Sequence, residues 1–299
     1  MSALAPALSS KRARGVALML ASAGCFTANV LLVRELGEMH ASNVWLVSCA
    51  RFVIGLGLVM AFYRDEFQPR HLVTSGKLIL RGVAGGIGVY VTYLTIVKLG
   101  AGRATFIGNT YVVWGALLAH WMLKERLHPG VVGGGLAAVA GLGLLTNVFS
   151  STGHPGLYDF LAFSAAWISA YVVVTIRQLH ATEHTATIFA AQCAYGLVIC
   201  VVPGVLTYEP VSPAAWGIIL LASVCAGTGQ LTMTRSFRDL PVAEGSLLQM
   251  LVPLGTATGG ILFFGERFAG HEIAGAALIF AGTAFTMLRR PDVANLEAE

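Results

Sequence analysis

The sequence predicts an all-α fold: a polytopic membrane protein with ten transmembrane helices in two inverted five-helix repeats. Three observations predict it. Lys and Arg number 19 and Asp and Glu 15 among 299 residues, 11% in all, where a soluble domain carries about 25% charge. Hydrophobic residues make up 56%, and the mean hydropathy is +0.73. The second half of the chain also repeats the first at a fixed spacing. A soluble globule of this size needs far more polar surface, and a disordered chain needs more again.

A bilayer-crossing helix needs about 20 mostly apolar residues. Charges cluster along the chain and leave ten such windows between them. Span 1, at 15–34, follows Lys11, Arg12 and Arg14 and ends at Arg34. Span 2, at 43–63, contains Arg51 and stops at Arg64. Span 3, at 78–97, has Arg81 at its start and Lys98 just beyond its end. Span 4, at 104–123, lies between Arg103 and Lys124. Span 5, at 130–149, is Gly-rich, and span 6, at 157–177, ends on Arg177. Span 7, at 186–206, and span 8, at 214–234, are followed by a short loop and by Arg235 respectively. Span 9, at 242–264, contains Pro253, and span 10, at 270–288, stops at Arg289. Two tails and nine short loops remain, too little for a catalytic domain outside the membrane. The first span is expected to stay attached. Its apolar stretch is long for a signal peptide and lacks a small-x-small exit before Arg34.

Basic residues orient the chain. With ten spans both termini share a side. That side holds Lys11, Arg12, Arg14, Arg64, Arg70, Lys77, Arg81, Lys124, Arg126, Arg177, Arg235, Arg238, Arg289 and Arg290. The other holds only Arg34, Lys98, Arg103 and Arg267. Both termini are therefore expected in the cytoplasm. The net charge of +4 follows from this loop bias and gives no reason to expect a nucleic-acid partner. Cys25, Cys49, Cys193, Cys200 and Cys225 all fall within spans without a CxxC spacing, so they read as packing residues rather than disulfides or zinc ligands.

A shift of 141 residues aligns 82–141 with 223–282 without a gap. The matches include Gly86/Gly227, Gly88/Gly229, Glu125/Glu266, Arg126/Arg267, Gly134/Gly275 and Gly141/Gly282. Apolar helices match one another by composition alone, but paired Glu-Arg and Gly-x-Gly signatures are harder to obtain that way. The shift lays spans 3–5 on spans 8–10. Each half then has five spans, 15–149 and 157–288. Five is odd, so the second half enters the membrane from the opposite side. Such inverted repeats are typical of secondary transporters, because two halves of opposite topology can exchange conformations.

Two halves that each end in a Gly-rich helix, Glu-Arg and a second Gly-rich helix resemble the EamA repeats of the drug/metabolite transporter superfamily. Among its branches the resemblance is to the aromatic amino acid exporters of the YddG type. It implies a ten-helix basket with a central cavity, and export of small metabolites across the bacterial inner membrane. The expected partners are a small-molecule substrate and the lipid bilayer, and no cofactor is implied.

Several residues within the spans are candidates for binding substrate. Tyr90 and Tyr93, Tyr111 and Trp114, and Trp167 and Tyr171 are three or four apart, so each pair shares a helix face. Mid-membrane Tyr and Trp need a polar partner or a wet cavity. They are either packing residues with one hydrogen bond or the lining of a cavity for a flat, partly apolar substrate. Asn29, Asn109, Gln192, Gln230 and Gln249 are either interhelical glue or hydrogen-bonding groups for substrate. Pro253 removes one backbone bond from span 9 and is a candidate gate. Arg51 stands alone near the centre of a span. Its burial costs about 2.5–3.5 kcal/mol, so it pairs with backbone carbonyls, snorkels, or attracts a substrate carboxylate.

No Asp or Glu lies deep in any window, and His120 is too isolated to suggest a metal path. Cation carriers and many proton-coupled carriers place an acid there. A neutral or zwitterionic substrate is therefore expected. An intramembrane enzyme is the competing class, but HExxH, paired Asp residues and a Ser–His set at depth are all missing from the sequence. Multidrug or nucleotide-sugar transport is the alternative within carriers. A reporter fused after Arg290 is expected to read as cytoplasmic; a periplasmic signal would break both the span count and the inverted topology.

Overall fold

The computed structural model describes residues 4–39, 43–99, 101–146, 148, 156–265, 267 and 269–288. Glu266, Arg289 and Arg290 lie outside the described residues. Among the described residues thirteen helices follow one another: α1 Leu4–Glu38, α2 Val44–Phe62, α3 Pro69–Thr74, α4 Gly76–Leu99, α5 Ala101–Asn109, α6 Tyr111–Leu123, α7 Pro129–Leu145, α8 Leu157–Leu179, α9 Thr185–Leu206, α10 Pro213–Ser236, α11 Val242–Gln249, α12 Leu251–Phe264 and α13 Gly270–Leu288. The regular structure of the described residues is entirely helical, as hydrocarbon requires of a chain that must satisfy its own peptide groups. Among the described residues seven stretches are long and apolar enough to cross a membrane: α1 from Ser10, α2, α4, α8, α9, α10, and α11 with α12 taken together.

Two windows expected as single helices are broken. Span 4 divides at Thr110 and span 9 at Met250. At the first break, side chains compete for the backbone carbonyls. Asn109 Nδ2 donates to Thr105 O at 2.8 Å, and Thr110 Oγ1 donates to Ile107 O at 2.6 Å. Thr110 N then reaches only Ile107 O, tightening the turn. At the second break Pro253 is the cause. It has no N–H for Gln249 O and its ring crowds that carbonyl, so Met250 N bonds Leu247 O at 3.0 Å instead. The broken helices also end alike. Lys124 (φ 58°) and Gly265 (φ 66°) are left-handed caps, with their N–H groups on Ala119 O and Gly260 O.

Helix starts repeat along the chain. α2 and α9 begin at 44 and 185, α5 and α11 at 101 and 242, and α7 and α13 at 129 and 270. Each pair is separated by the same 141 residues that align the sequence. Packing pairs helices across the halves: α7 on α13, α1 on α10, α4 on α8, and α2 on α9. The α7–α13 contact is backbone to backbone. A Cβ on Gly141 would lie 2.7 Å from Gly275 O, and one on Gly282 would lie 2.6 Å from Gly134 O. Small residues allow this approach where no hydrophobic force drives helices together in lipid. Gly141→Val should push the two helices apart at a cost of about 1–3 kcal/mol, read as a lower unfolding temperature in detergent.

Candidate functional site

Polar groups gather where α2, α4 and α10 meet. Arg51, midway along α2, donates from Nη1 to Tyr93 Oη at 3.0 Å and from Nη2 to Gln230 Oε1 at 3.3 Å. The rings of Phe26 and Tyr93 each lie 5.9 Å from its guanidinium carbon. Arg51 is 9% exposed. Three of the residues expected to bind substrate thus form one hydrogen-bonded group. Its partners are a phenol, an amide and aromatic faces, and none carries a negative charge.

Aromatic side chains form two further pairs. Trp114 and Trp167 stack at 4.9 Å between centroids and 22° between planes, with Phe163 edge-on to Trp114 at 5.8 Å. This joins α6 to α8. Trp167 stays 40% exposed, and the buried Nε1 of Trp114 has no hydrogen-bond partner. Tyr90 stacks on Trp45 at 3.6 Å, joining α4 to α2. Tyr171, one turn along from Trp167, is half-buried, and Tyr111 packs into two apolar clusters at the start of α6.

The other amides hold helices together. Asn29 Nδ2 donates to Ala222 O at 2.9 Å and ties α1 to α10. Gln249 Nε2 donates to Ser22 Oγ at 2.9 Å, and Ser22 Oγ donates to Gly229 O at 2.7 Å, linking α11, α1 and α10. Asn109 bonds within its own helix, and Pro253 sits three residues past the break it causes.

Arg81, expected at the start of span 3 and counted with the charges of the basic side, lies a turn further into its helix, because α4 already begins at Gly76. Its side chain is fully buried, and Nη2 donates to Gln192 Oε1 of α9 at 2.9 Å. Its position within the Gly-rich helix, rather than its distance from the window edge, is the signal that reveals it. Sequence reasoning also misses Trp45 and Phe26. A lone aromatic in an apolar run gives no sign of its neighbour.

Ion pairs mark both ends of the bundle. Arg12 meets Glu244 with two bonds, the shorter 2.6 Å, and Arg14 meets Asp239 at 2.9 and 3.0 Å. At the opposite end Arg103 meets Asp159 at 2.6 Å. Positions 103 and 244 are again 141 apart, so equivalent places carry pairs of reversed sign.

The broken helices dock unequally. All eight residues of α11 are buried, and α11 packs on α1, α6, α7, α8 and α13. Among the described residues of α5 only Ala104 is buried, and α5 rests mainly on α4, α7 and α8. Glu125, in the turn after α6, latches α11. Its Oε2 accepts the N–H of Val242 at 3.1 Å, and its Oε1 lies 3.5 Å from Arg177 Nε. The helix dipole favours a carboxylate at that N-terminus.

The sequence profile of EamA-like transporters matches residues 13–147 and again 156–288. The chain belongs to the EamA-like transporter family. This EamA protein is thus a multi-pass membrane transporter and not an enzyme. It is similar to the pseudopaline exporter CntI from two strains of Pseudomonas aeruginosa, UCBPP-PA14 and PAO1, at 25% identity over 88% of this chain and 92% of each relative. A solved crystal structure shares its fold with a TM-score of 0.78 and 17% identity, covering 95% of this chain and 98% of that one.

In this EamA chain burial holds the Glu125 carboxyl above its ordinary range, although the Val242 N–H and Arg177 pull it down; nearby Glu244 adds to the rise. Undocking α11 would return Glu125 to water and to an ordinary value. The docked state therefore binds the proton better, so acidification through that range should favour docking and alkalinisation should loosen it. Glu125→Gln should keep α11 docked and remove this pH dependence. Glu125→Ala, lacking the acceptor for Val242, should undock it. Hydrogen exchange in the first turn of α11 reads both outcomes.

Proposed function

We propose that the protein exports aromatic or large apolar amino acids and related small metabolites across the bacterial inner membrane by alternating access. In this reading ten spans form two inverted repeats, 15–149 and 157–288, with both termini cytoplasmic. The common 141-residue spacing of helix starts, the two equivalent breaks and the matched left-handed caps support that arrangement. The unequal docking of α11 and α5 supports a state closed toward the cytoplasm and looser toward the outside. Exchange of their roles would then move the opening from one face to the other.

The observation that carries the substrate reading is Arg51, held by Tyr93 and Gln230 with Phe26 alongside. A guanidinium so presented suits a carboxylate, and the ring pairs Trp114–Trp167 and Tyr90–Trp45 suit a flat apolar body. Each aromatic contact contributes about 0.5–1.5 kcal/mol. Tyr171 belongs to the same lining, Asn29 and Gln249 hold its walls, and Pro253 sets the hinge of α11 on α12. Glu244 is buried in the first turn of α11 and bound to Arg12, leaving no deep carboxylate among the described residues to carry a coupled proton. Substrate then moves down its own gradient. Export of pseudopaline or a compound like it is a second reading, favoured by the similarity to the exporter of that compound.

Counterflow in liposomes with phenylalanine inside and no ion gradient tests the first reading. Flux is expected there without a proton gradient; flux only after a gradient is applied would reveal a coupling group. Trp167→Ala and Tyr90→Ala should each reduce that flux while the protein stays folded and inserted. Unchanged flux in both would return these residues to ordinary packing.

A further inference from the structure

We propose that the membrane interior of this carrier is an anion-binding site centred on Arg51 and Arg81, and that its substrates cross with net negative charge. The inference rests on the carrier part of the reading above and replaces its zwitterionic amino acids by anions of the same aromatic or apolar body. Both arginines flank one point of α9. On α2, Gly55 lies one turn beyond Arg51 on the same face, and a Cβ there would lie 2.6 Å from Cys193 Sγ. On α4, a Cβ on Gly82 would lie 2.6 Å from Ala191 O, and one on Gly86 would lie 2.6 Å from Gly196 Cα. Arg81 is held between those contacts by Gln192, whose Nε2 in turn donates to Gly85 O at 3.3 Å.

Neither arginine has an acidic partner among the described residues. Tyr93 and Gln230 accept from Arg51, and Gln192 accepts from Arg81. Nε and Nη1 of Arg81 are buried with no hydrogen-bond partner at all. Each such charge is costly to place in the bundle interior, and two of one sign also repel. The described residues offer no counter-ion there, so an incoming anion gains what a neutral molecule does not. A zwitterion brings its ammonium as well, and no carboxylate at that depth receives it.

The repeat gives this pair a common origin in the fold. Arg51 and Gln192 are 141 residues apart, so equivalent positions supply the arginine of one pair and the amide of the other. The two pairs differ in access. Arg51, beside the rings of Phe26 and Tyr93, is the contact for a carboxylate. Arg81 is sealed against Gly85 and acts as a positioning residue, adding positive potential from behind. The fitting class is an apolar body bearing more carboxylate than ammonium.

Three probes share one ring and differ in charge: phenylalanine (zwitterion), phenylpyruvate (one negative charge) and phenylsuccinate (two). Binding to the purified protein, read by thermal stabilisation, should follow the order phenylsuccinate, phenylpyruvate, phenylalanine, with roughly tenfold between the first and last, the size of one charge-assisted bond. Arg51→Gln should bring that ratio to about one, Arg51→Lys should keep most of the preference, and Arg81→Gln should reduce it. Phenylalanine binding as well as the anions, or a ratio untouched by Arg51→Gln, overturns the proposal. Should Arg81→Gln fail to fold, the two Arg51 variants decide alone. Counterflow with the same probes forms a separate arm. Arg51-dependent anion binding without flux of any probe sinks the carrier reading and keeps the site, whereas flux of phenylalanine alone keeps the carrier and sinks the site.

Discussion

A peptide group in hydrocarbon has no water to bond, so each N–H and C=O must find its partner within the protein. This constraint orders the rest of the structure. It makes every described regular element a helix, and it sets a cost on any break in one. α5/α6 and α11/α12 break by different chemistry. Asn109 and Thr110 side chains occupy carbonyls at one break, and a proline removes a donor at the other. In both, one apolar window is divided into two shorter helices.

Polar side chains in the bundle obey the same rule, and it divides them by role. Asn29, Gln249 and Ser22 spend their donors on neighbouring backbones or hydroxyls, which fastens α1 to α10 and α11. Arg51 and Arg81 differ because a guanidinium has five donors and a charge, and one or two neutral acceptors leave both unsatisfied. Small residues make this placement possible. Gly55, Gly82, Gly85 and Gly86 bring α2 and α4 against α9, so that long arginine side chains find space between closely spaced backbones.

Equivalent positions in the two halves are alike in backbone and unlike in charge. Arg103 faces Asp159 while Glu244 faces Arg12, and Lys124 caps one half-helix where Gly265 caps the other. Such differences give each end its own stability. Glu125 adds a carboxylate seated on the N-terminus of α11.

The sequence alone determined the features that composition and period control. Long apolar windows separated by clustered charges define helices in a bilayer, and the 141-residue spacing appears in the letters because equivalent helices need Gly at equivalent contacts. The mid-span position of Arg51 was legible too, since no loop lies near enough to claim it. Tertiary structure decided the rest. That Tyr93 and Gln230 meet Arg51, that Trp45 rather than Tyr93 accompanies Tyr90, and that Arg81 lies sealed against α9 depend on contacts between residues scores to hundreds of places apart. Helix periodicity gives the face on which a side chain stands but not the helix it will face. That choice is made by close packing across the bundle, where a glycine at the right turn lets one backbone approach another.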